Sequence, residues 1–173
     1  LKNLPSVVIS SESGTGIGST SFRVRGTDPT RINVTLNGVP MNDAETHSVY
    51  WYDTPDLASA VGDMQVQRGA GTSTHGTGAF GGAISMTTSS LDTDFGGDLS
   101  MSYGSYNTNK QAIHLSSGLM AGHWLLDARL SHIGSEGYID RGATELASYM
   151  VQGAYYGGQS VVKLLSFGGK AKT

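Results

Sequence analysis

Residues 39–53, VPMNDAETHSVYWYD, form the segment whose side chains are best suited to binding a ligand. Carboxylates, an imidazole and aromatic rings follow one another there, and on an exposed loop such groups can hold a bulky chelate or a sugar-like solute. The nearby stretch GTDPTR adds a weaker pair. The sequence equally allows the rings to pack against neighbouring structure without touching a ligand. The candidate ligand contacts are Asp28, Arg31, Asn42, Asp43, Glu45, His47, Tyr50, Trp51 and Tyr52.

Metal binding and catalysis have less support in the sequence. Asp43, Glu45 and His47 alternate, so an extended strand would place them on one side, with ligand types that suit several divalent ions. Three such residues in a short span are a weak signal, and we predict no metal site. No GxSxG elbow and no Ser–His–Asp set of recognisable spacing occurs, so we predict neither an enzyme nor a cofactor. The remaining histidines are scattered and are interpreted as polar or interfacial residues: His75, His114, His123 and His132.

A second candidate region, from Val66 to Met86, is rich in glycine (VQRGAGTSTHGTGAFGGAISM). Arg68 leads into the glycines, which are used where the backbone takes a positive φ or closely approaches another surface. The region lacks the lysine of a GxxxxGK[ST] loop and does not predict phosphate binding. A flexible linker is the alternative. The glycines assigned a structural role are Gly26, which lies outside this region, and Gly69, Gly76, Gly78, Gly81 and Gly82 within it.

Composition narrows the class of protein. The chain has 173 residues, of which 14% are charged, with 25 glycines, no cysteine and a formal net charge of −3. Globular domains average about 25% charged residues, and a polar but charge-poor chain favours β-structure with polar walls. The negative charge argues against nucleic-acid binding. No apolar window is long enough to predict a transmembrane helix.

The two halves of the chain differ in their hydrophobic pattern. Up to about residue 90, short alternating runs such as Ile32–Leu36, followed by an Asn-Gly turn, predict a compact α+β unit. Within it, Thr54 and Pro55 predict a short helix that continues to about Val61. From about Gly96 the alternating runs lengthen, with one apolar and one polar face, as in transmembrane barrel strands. A soluble antiparallel sheet with one wet face is the alternative.

Three ordered motifs resemble those of a known family. FRVRG (Phe22–Gly26), INVTLNGVPMND (Ile32–Asp43) and DMQVQRGAGTSTHGTGAFGGAISMTT (Asp63–Thr88) closely resemble the plug domain of TonB-dependent outer-membrane receptors. The resemblance implies an α+β plug domain over residues 1–90, N-terminally truncated. It also implies about five antiparallel transmembrane barrel strands over residues 91–173, C-terminally truncated, from a barrel of about 22 strands when whole.

The same resemblance implies a function. Receptors of this family bind a scarce solute outside a Gram-negative cell and import it across the outer membrane, whose lipid surrounds the barrel, using energy passed on by TonB. The implied cargo is an iron–siderophore or haem-like complex, with cobalamin or oligosaccharide import, or a non-transporting β-rich surface-binding or adhesion module, as alternatives. Arg25 and Arg68 match arginines that pair with barrel carboxylates and lock the plug. The loop after NGVP matches the region that faces the external vestibule and touches ligand.

Overall fold

The computed structural model describes residues 5, 7–11, 17–18, 20–69 and 80–172. These residues form three sheets and three short 3₁₀-helices, and none of the described helices has the length and hydropathy needed to cross a membrane. The helices are Pro29–Arg31, Trp51–Asp53 and Leu57–Ala60. The strands are β1 (Val7–Ser11), β2 (Thr20–Val24), β3 (Ile32–Leu36), β4 (Val39–Pro40), β5 (Val61–Arg68), β6 (Gly82–Thr88), β7 (Phe95–Gly104), β8 (Thr108–Ser117), β9 (Trp124–Ser135), β10 (Thr144–Tyr156) and β11 (Val161–Lys172).

A four-stranded mixed sheet organises the first half, in the order β4–β3–β6–β5, beside an antiparallel β1–β2 pair. β3 and β6 pair in parallel, whereas β4 pairs antiparallel with β3 and β5 pairs antiparallel with β6. Asn37 and Gly38 have φ angles of 51° and 82°, which form the tight β3–β4 hairpin that the Asn-Gly pair predicts. The alternation in β3 buries Ile32, Val34 and Leu36 in the core of this half.

The helix predicted from Pro55 to about Val61 is wrong in extent. Only Leu57–Ala60 is helical, as one 3₁₀ turn that buries Leu57 and Ala60. Asp56 has a φ of 55°, and a residue in this left-handed region cannot continue a right-handed helix. Its reversed backbone directs the chain, and the Asp56 carboxylate with it, towards the five-stranded sheet.

Strands β7–β11 form an antiparallel meander with two different faces. The inner face packs on the first half and buries polar groups such as Ser116, Asp127 and Ser131 together with apolar ones such as Leu146 and Met150. The outer face points away from it and exposes large apolar side chains, as the alternating sequence predicts. These outer-face residues are Leu99, Met101, Tyr103, Ile113, Leu115, Trp124, Leu126, Leu130, Tyr149, Val151, Val162 and Leu164.

The strand register divides the outer face of β8–β11 into two zones. Ile113, Leu130 and Tyr149 lie side by side in one apolar cross-strand row. At the far end of the apolar zone, Trp124 packs against Tyr155 with ring centroids 4.6 Å apart. An apolar belt with aromatic rings at its edge is typical of membrane-barrel strands. The two rows nearest the β7–β8 turn are instead largely polar, and contain Asn109, Gln111, His132, Glu145, Lys170 and Lys172.

The inner face of the meander is in direct contact with the first half. Met150 belongs to the same buried cluster as Phe22, and Phe167 packs against that cluster. At Gly169 an added Cβ would overlap the Pro55 ring and would lie 2.9 Å from Pro55 Cδ. A residue without a side chain is therefore required at this contact.

Candidate functional site

The loop between β4 and the helix Trp51–Asp53 is held against β3 by Asn42. Its side-chain oxygen accepts a hydrogen bond from the backbone N–H of Val34 at 2.8 Å. Its amide nitrogen donates to the carbonyls of Ile32 and His47, each at 2.9 Å. Asn42, one of the predicted ligand contacts, thus uses its side chain to fix the loop conformation.

Asp43 organises the next turn of this loop. Its Oδ1 accepts hydrogen bonds from the backbone N–H groups of Thr46 at 2.8 Å and Glu45 at 3.1 Å, and from the Thr46 hydroxyl at 3.0 Å. The Thr46 hydrogen bonds, backbone first, lower the pKa of Asp43 below its ordinary value. Glu45 and His47 are exposed beside it. Within the described part of the chain, these side chains do not converge with Asp43 on one point as metal ligands would.

The three aromatic residues of the loop have different environments. Trp51 is half-buried and packs against Phe22, with ring centroids 5.6 Å apart. Tyr50 and Tyr52 form a second ring pair at 5.6 Å and remain 38% and 51% exposed. Tyr50 also donates a hydrogen bond to the Thr46 hydroxyl at 3.0 Å. The loop therefore offers two tyrosines to solvent, whereas Trp51 contributes to packing.

Asp28 immediately precedes the helix Pro29–Arg31, and Arg31 is its last residue. Asp28 caps it by accepting hydrogen bonds from the backbone N–H of Thr30 at 3.0 Å and from the Thr30 hydroxyl at 2.7 Å. These bonds, the backbone one first, lower the pKa of Asp28. Arg31 is exposed, and its carbonyl accepts a hydrogen bond from the Gly81 N–H at 2.9 Å. Arg31 thus lies at the base of the glycine-rich segment.

The described glycines of that segment lie where the chain leaves β5 and returns to β6. The Gly69 N–H donates to the Gly81 carbonyl at 3.2 Å, which closes the base of the connection. At Gly81 an added Cβ would overlap the Thr27 side chain, and at Gly82 it would lie 2.6 Å from the Gln67 carbonyl oxygen. Gly76, Gly78 and His75 lie outside the described residues.

The two motif arginines lie near the end of β5, although Arg25 follows β2 in the two-stranded sheet. Arg25 and Gly26 have φ angles of 52° and 73° and form a tight turn, closed by a 3.0 Å hydrogen bond from the Thr27 N–H to the Val24 carbonyl. Arg25 Nη1 lies 3.7 Å from the position of a Cβ on Gly69, the residue after Arg68. Both arginines are exposed and form no ion pair with the residues that the structure describes.

The ion pair that does join the two halves centres on Asp56, a residue that sequence reasoning missed. Asp56 Oδ1 lies 2.7 Å from Lys110 Nζ on β8, and Asp56 Oδ2 accepts a 2.5 Å hydrogen bond from the Ser131 hydroxyl on β9. Ser59 also donates to Asp56 and contacts Lys110. Burial raises the pKa of Asp56, but the hydrogen bonds from Lys110, Ser131 and Ser59 outweigh it and lower the pKa. The available sequence signal was a lysine on the polar face of an alternating strand.

A cavity of about 480 Å³ lies between the four-stranded sheet and the inner face. This volume is within the range of about 300–1,000 Å³ that is usual for ligand pockets. Its walls are largely apolar, and the Asp56–Lys110 pair and Tyr52 contribute their polar groups to it. Residues that line it include Phe22, Tyr52, Asp56, Met86, Lys110 and Leu146.

The family model of the TonB-dependent Receptor Plug Domain matches residues 1–83. No curated protein matches the chain significantly in sequence. Its fold is similar to that of the pyoverdine outer membrane receptor FpvA from Pseudomonas aeruginosa PAO1, with 15% identity and a TM-score of 0.73 over 94% of this chain and 23% of that one. The copper transporter OprC is 17% identical, with a TM-score of 0.77 over 98% of this chain and 27% of that one. The ferric yersiniabactin uptake receptor FyuA from Yersinia pestis is 16% identical, with a TM-score of 0.69 over 95% of this chain and 27% of that one.

The chain therefore spans about a quarter of the length of these receptors. The predicted fold, a plug domain followed by antiparallel barrel strands, is confirmed by this similarity. Residues 1–83 therefore match the plug domain of TonB-dependent receptors, and the chain as a whole shares the fold of these receptors, a plug domain followed by antiparallel strands.

Proposed function

We propose that this chain is part of an outer-membrane transporter that binds a scarce solute and admits it when the plug moves away from the wall. The contact that carries the proposal is the plug packed on the inner face of a sheet whose outer face exposes an apolar belt. In a soluble module with one wet face, the exposed face would instead be polar. In this proposal the plug ends near residue 90, between β6 and β7, and TonB supplies the force that moves it.

The proposed cargo is an iron–siderophore or haem-like complex. Tyr50 and Tyr52 support this choice, because both rings are exposed and Tyr52 lines a largely apolar cavity, as suits contact with a bulky chelate. Two of the similar structures are named as a pyoverdine outer membrane receptor and a ferric yersiniabactin uptake receptor. Cobalamin and an oligosaccharide are the alternative cargoes of the same fold.

Two kinds of contact hold the plug in this proposal. The Asp56–Lys110 pair connects it to β8 within this chain. Arg25 and Arg68, exposed near the end of β5, pair with carboxylates on other strands of the barrel. Solute entry requires these contacts to break, together with the apolar contacts that Met150 and Phe167 make with the plug core.

The binding test uses the intact receptor in detergent, with a ferric siderophore panel, haem, cobalamin and an oligosaccharide as separate probes. One of these probes is expected to bind the unmodified receptor. Replacing Tyr50 and Tyr52 by alanine is expected to weaken the binding of that probe about tenfold or more, because two aromatic anchors are lost. The matched control is Tyr156→Ala, which changes the last residue of β10. This variant should bind the probe as the unmodified receptor does. Unchanged affinity in the Tyr50/Tyr52 variant would remove these residues from the site.

A surface-binding or adhesion module is distinguished by transport. The proposal expects TonB-dependent accumulation of radiolabelled cargo in cells and folding of the receptor only in membranes or detergent. A receptor that binds its solute with no TonB-dependent uptake, or one that folds in buffer without detergent, would contradict the transporter assignment.

A further inference from the structure

Three potential metal ligands meet where the chain passes from the plug to the barrel wall. Asp92 lies in the connection between β6 and β7, whereas His114 and Asp127 lie on the inner face of β8 and β9. One ligand atom from each lies within 4.8 Å of the others, and His114 Nε2 is 3.7 Å from Asp127 Oδ2. Two ligands about 2.1 Å from one ion are about 3.0–4.2 Å apart, so this pair can share a cation.

Asp127 supplies an independent indication that a ligand binds there. The residue is only 2% exposed, and its Oδ1 has no hydrogen-bond partner among the described residues. Its Oδ2 receives only a 3.4 Å hydrogen bond from the Asp92 N–H. A buried carboxylate oxygen without a partner is costly unless a cation or water binds it. Asp127 and His114 line one cavity of about 80 Å³, which has room for an ion and bound water.

The orientation of His114 suits metal binding. Its Nδ1 lies 3.2 Å from Asp98 Oδ1, so an Nδ1–H donated to that carboxylate leaves the Nε2 lone pair facing Asp127. A carboxylate that holds a ligating histidine in this way is common around protein-bound metals. The Arg129 side chain lines the same cavity, with its Nε buried and unpartnered among the described atoms. Three carboxylates and one guanidinium leave two negative charges, which a divalent cation balances.

We propose that Asp92, His114 and Asp127 bind a divalent transition-metal cation such as Zn²⁺ or Mn²⁺, with Asp98 as a residue that positions His114. Imidazole together with carboxylate ligands suits these ions. The bound ion connects the end of the plug to β8 and β9, and is distinct from any cargo. The site stands whether or not the proposed transport function is correct, because it needs neither TonB nor solute.

Metal stoichiometry tests the site in the intact receptor. The protein is stripped with a chelator, equilibrated with Zn²⁺, desalted and measured for bound zinc by mass spectrometry. His114→Gln and Asp127→Asn are each expected to hold one ion fewer per chain than the unmodified receptor. His132→Gln is the matched control: this histidine lies on the outer face of β9, 3.3 Å from Glu145, and should not change the count. Equal zinc content in all four proteins would overturn the proposal.

Asp92→Asn provides a second test that does not disturb the core, because Asp92 is exposed. Loss of this ligand is expected to weaken Zn²⁺ binding at least tenfold in a competitive chelator titration. Added Zn²⁺ should raise the thermal unfolding midpoint of the unmodified receptor, and raise it less in Asp92→Asn. A midpoint that Zn²⁺ leaves unchanged, or raises equally in both proteins, would contradict the site even if cargo binding and uptake were normal.

Discussion

A single residue, Asp56, forms an ion pair and a hydrogen bond between plug and wall. Its side chain is only 7% exposed, so loss of Lys110 would leave a nearly buried carboxylate without its cation. We expect Lys110→Met to lower the free energy of plug unfolding by about 2–4 kcal/mol, slightly less than for a fully buried pair because Lys110 retains some exposure. Hydrogen exchange of residues 54–60 in the intact receptor measures this change.

A lysine on another strand of the same sheet provides the control for that experiment. Lys163 is exposed on β11 and forms no ion pair with the described residues, so Lys163→Met should leave exchange at residues 54–60 unchanged. Equal protection in Lys110→Met and Lys163→Met would show that the Asp56 contact does not hold the plug.

The same contact predicts an acid dependence. The pKa of Asp56 is lower in the folded protein than its ordinary value of 3.8, so its stabilisation is fully present above that value. It is lost as the pH falls through the lower, folded-state pKa. We therefore expect the difference in unfolding free energy between the unmodified receptor and Asp56→Asn to be smaller at pH 3 than at pH 6. Denaturant unfolding at both pH values measures it, and a difference that stays constant or grows would contradict the assignment.

Individual roles in the loop were the part of the site that sequence could least predict. Composition correctly marked residues 39–53 as rich in polar and aromatic groups. It could not show that Asn42 bonds to the backbone of β3 or that Trp51 packs on Phe22, because both contacts join residues distant along the chain. Tyr50 and Tyr52 are exposed whereas Trp51 is half-buried, and this difference depends on the tertiary fold.

At the scale of elements, the alternation in β7–β11 predicted both the strands and their faces. A period of two fixes which side chains share a face, so the apolar outer face follows directly from the sequence. The helix after Pro55 was mispredicted because Asp56 takes a left-handed conformation, and its side chain contacts Lys110 and Ser131, which lie far along the chain. The Asp92–His114–Asp127 cluster was missed because its three residues are distant in sequence and come together only in the fold.

The outer face leads to a prediction about membrane assembly. Leu115 lies in the apolar zone of β8, where a lysine is expected to destabilise the assembled barrel by about 2–4 kcal/mol at the bilayer midplane and by less nearer the interface. Leu115→Lys should therefore reduce the amount of folded receptor in outer-membrane fractions, measured by heat-modifiable migration on gels.

Gln111→Lys is the matched control, because it introduces the same charge on the same face of the same strand, in the polar row. It should assemble almost normally. Equal assembly of Leu115→Lys and Gln111→Lys would argue that the apolar zone does not face lipid.

At the scale of the whole molecule, the two motif arginines are expected to control how tightly the plug closes the barrel. Reversing the charge in Arg25→Glu or Arg68→Glu should weaken the proposed pairing with wall carboxylates and increase entry of small solutes. Uptake of a large antibiotic that the outer membrane normally excludes measures this leakage. Arg141→Glu, in the exposed connection between β9 and β10, is the control. Leakage and plug unfolding that match the control would exclude the locking role.

The fit at Gly169 joins two contacts in one residue. An added Cβ would lie 2.9 Å from Pro55 Cδ on the plug side and 2.5 Å from the Ala147 carbonyl oxygen on the neighbouring strand β10. The missing side chain therefore lets the plug approach the inner face and also lets β10 approach β11. Seating of the plug and pairing of the wall strands share a single glycine, so a larger residue there would strain both together.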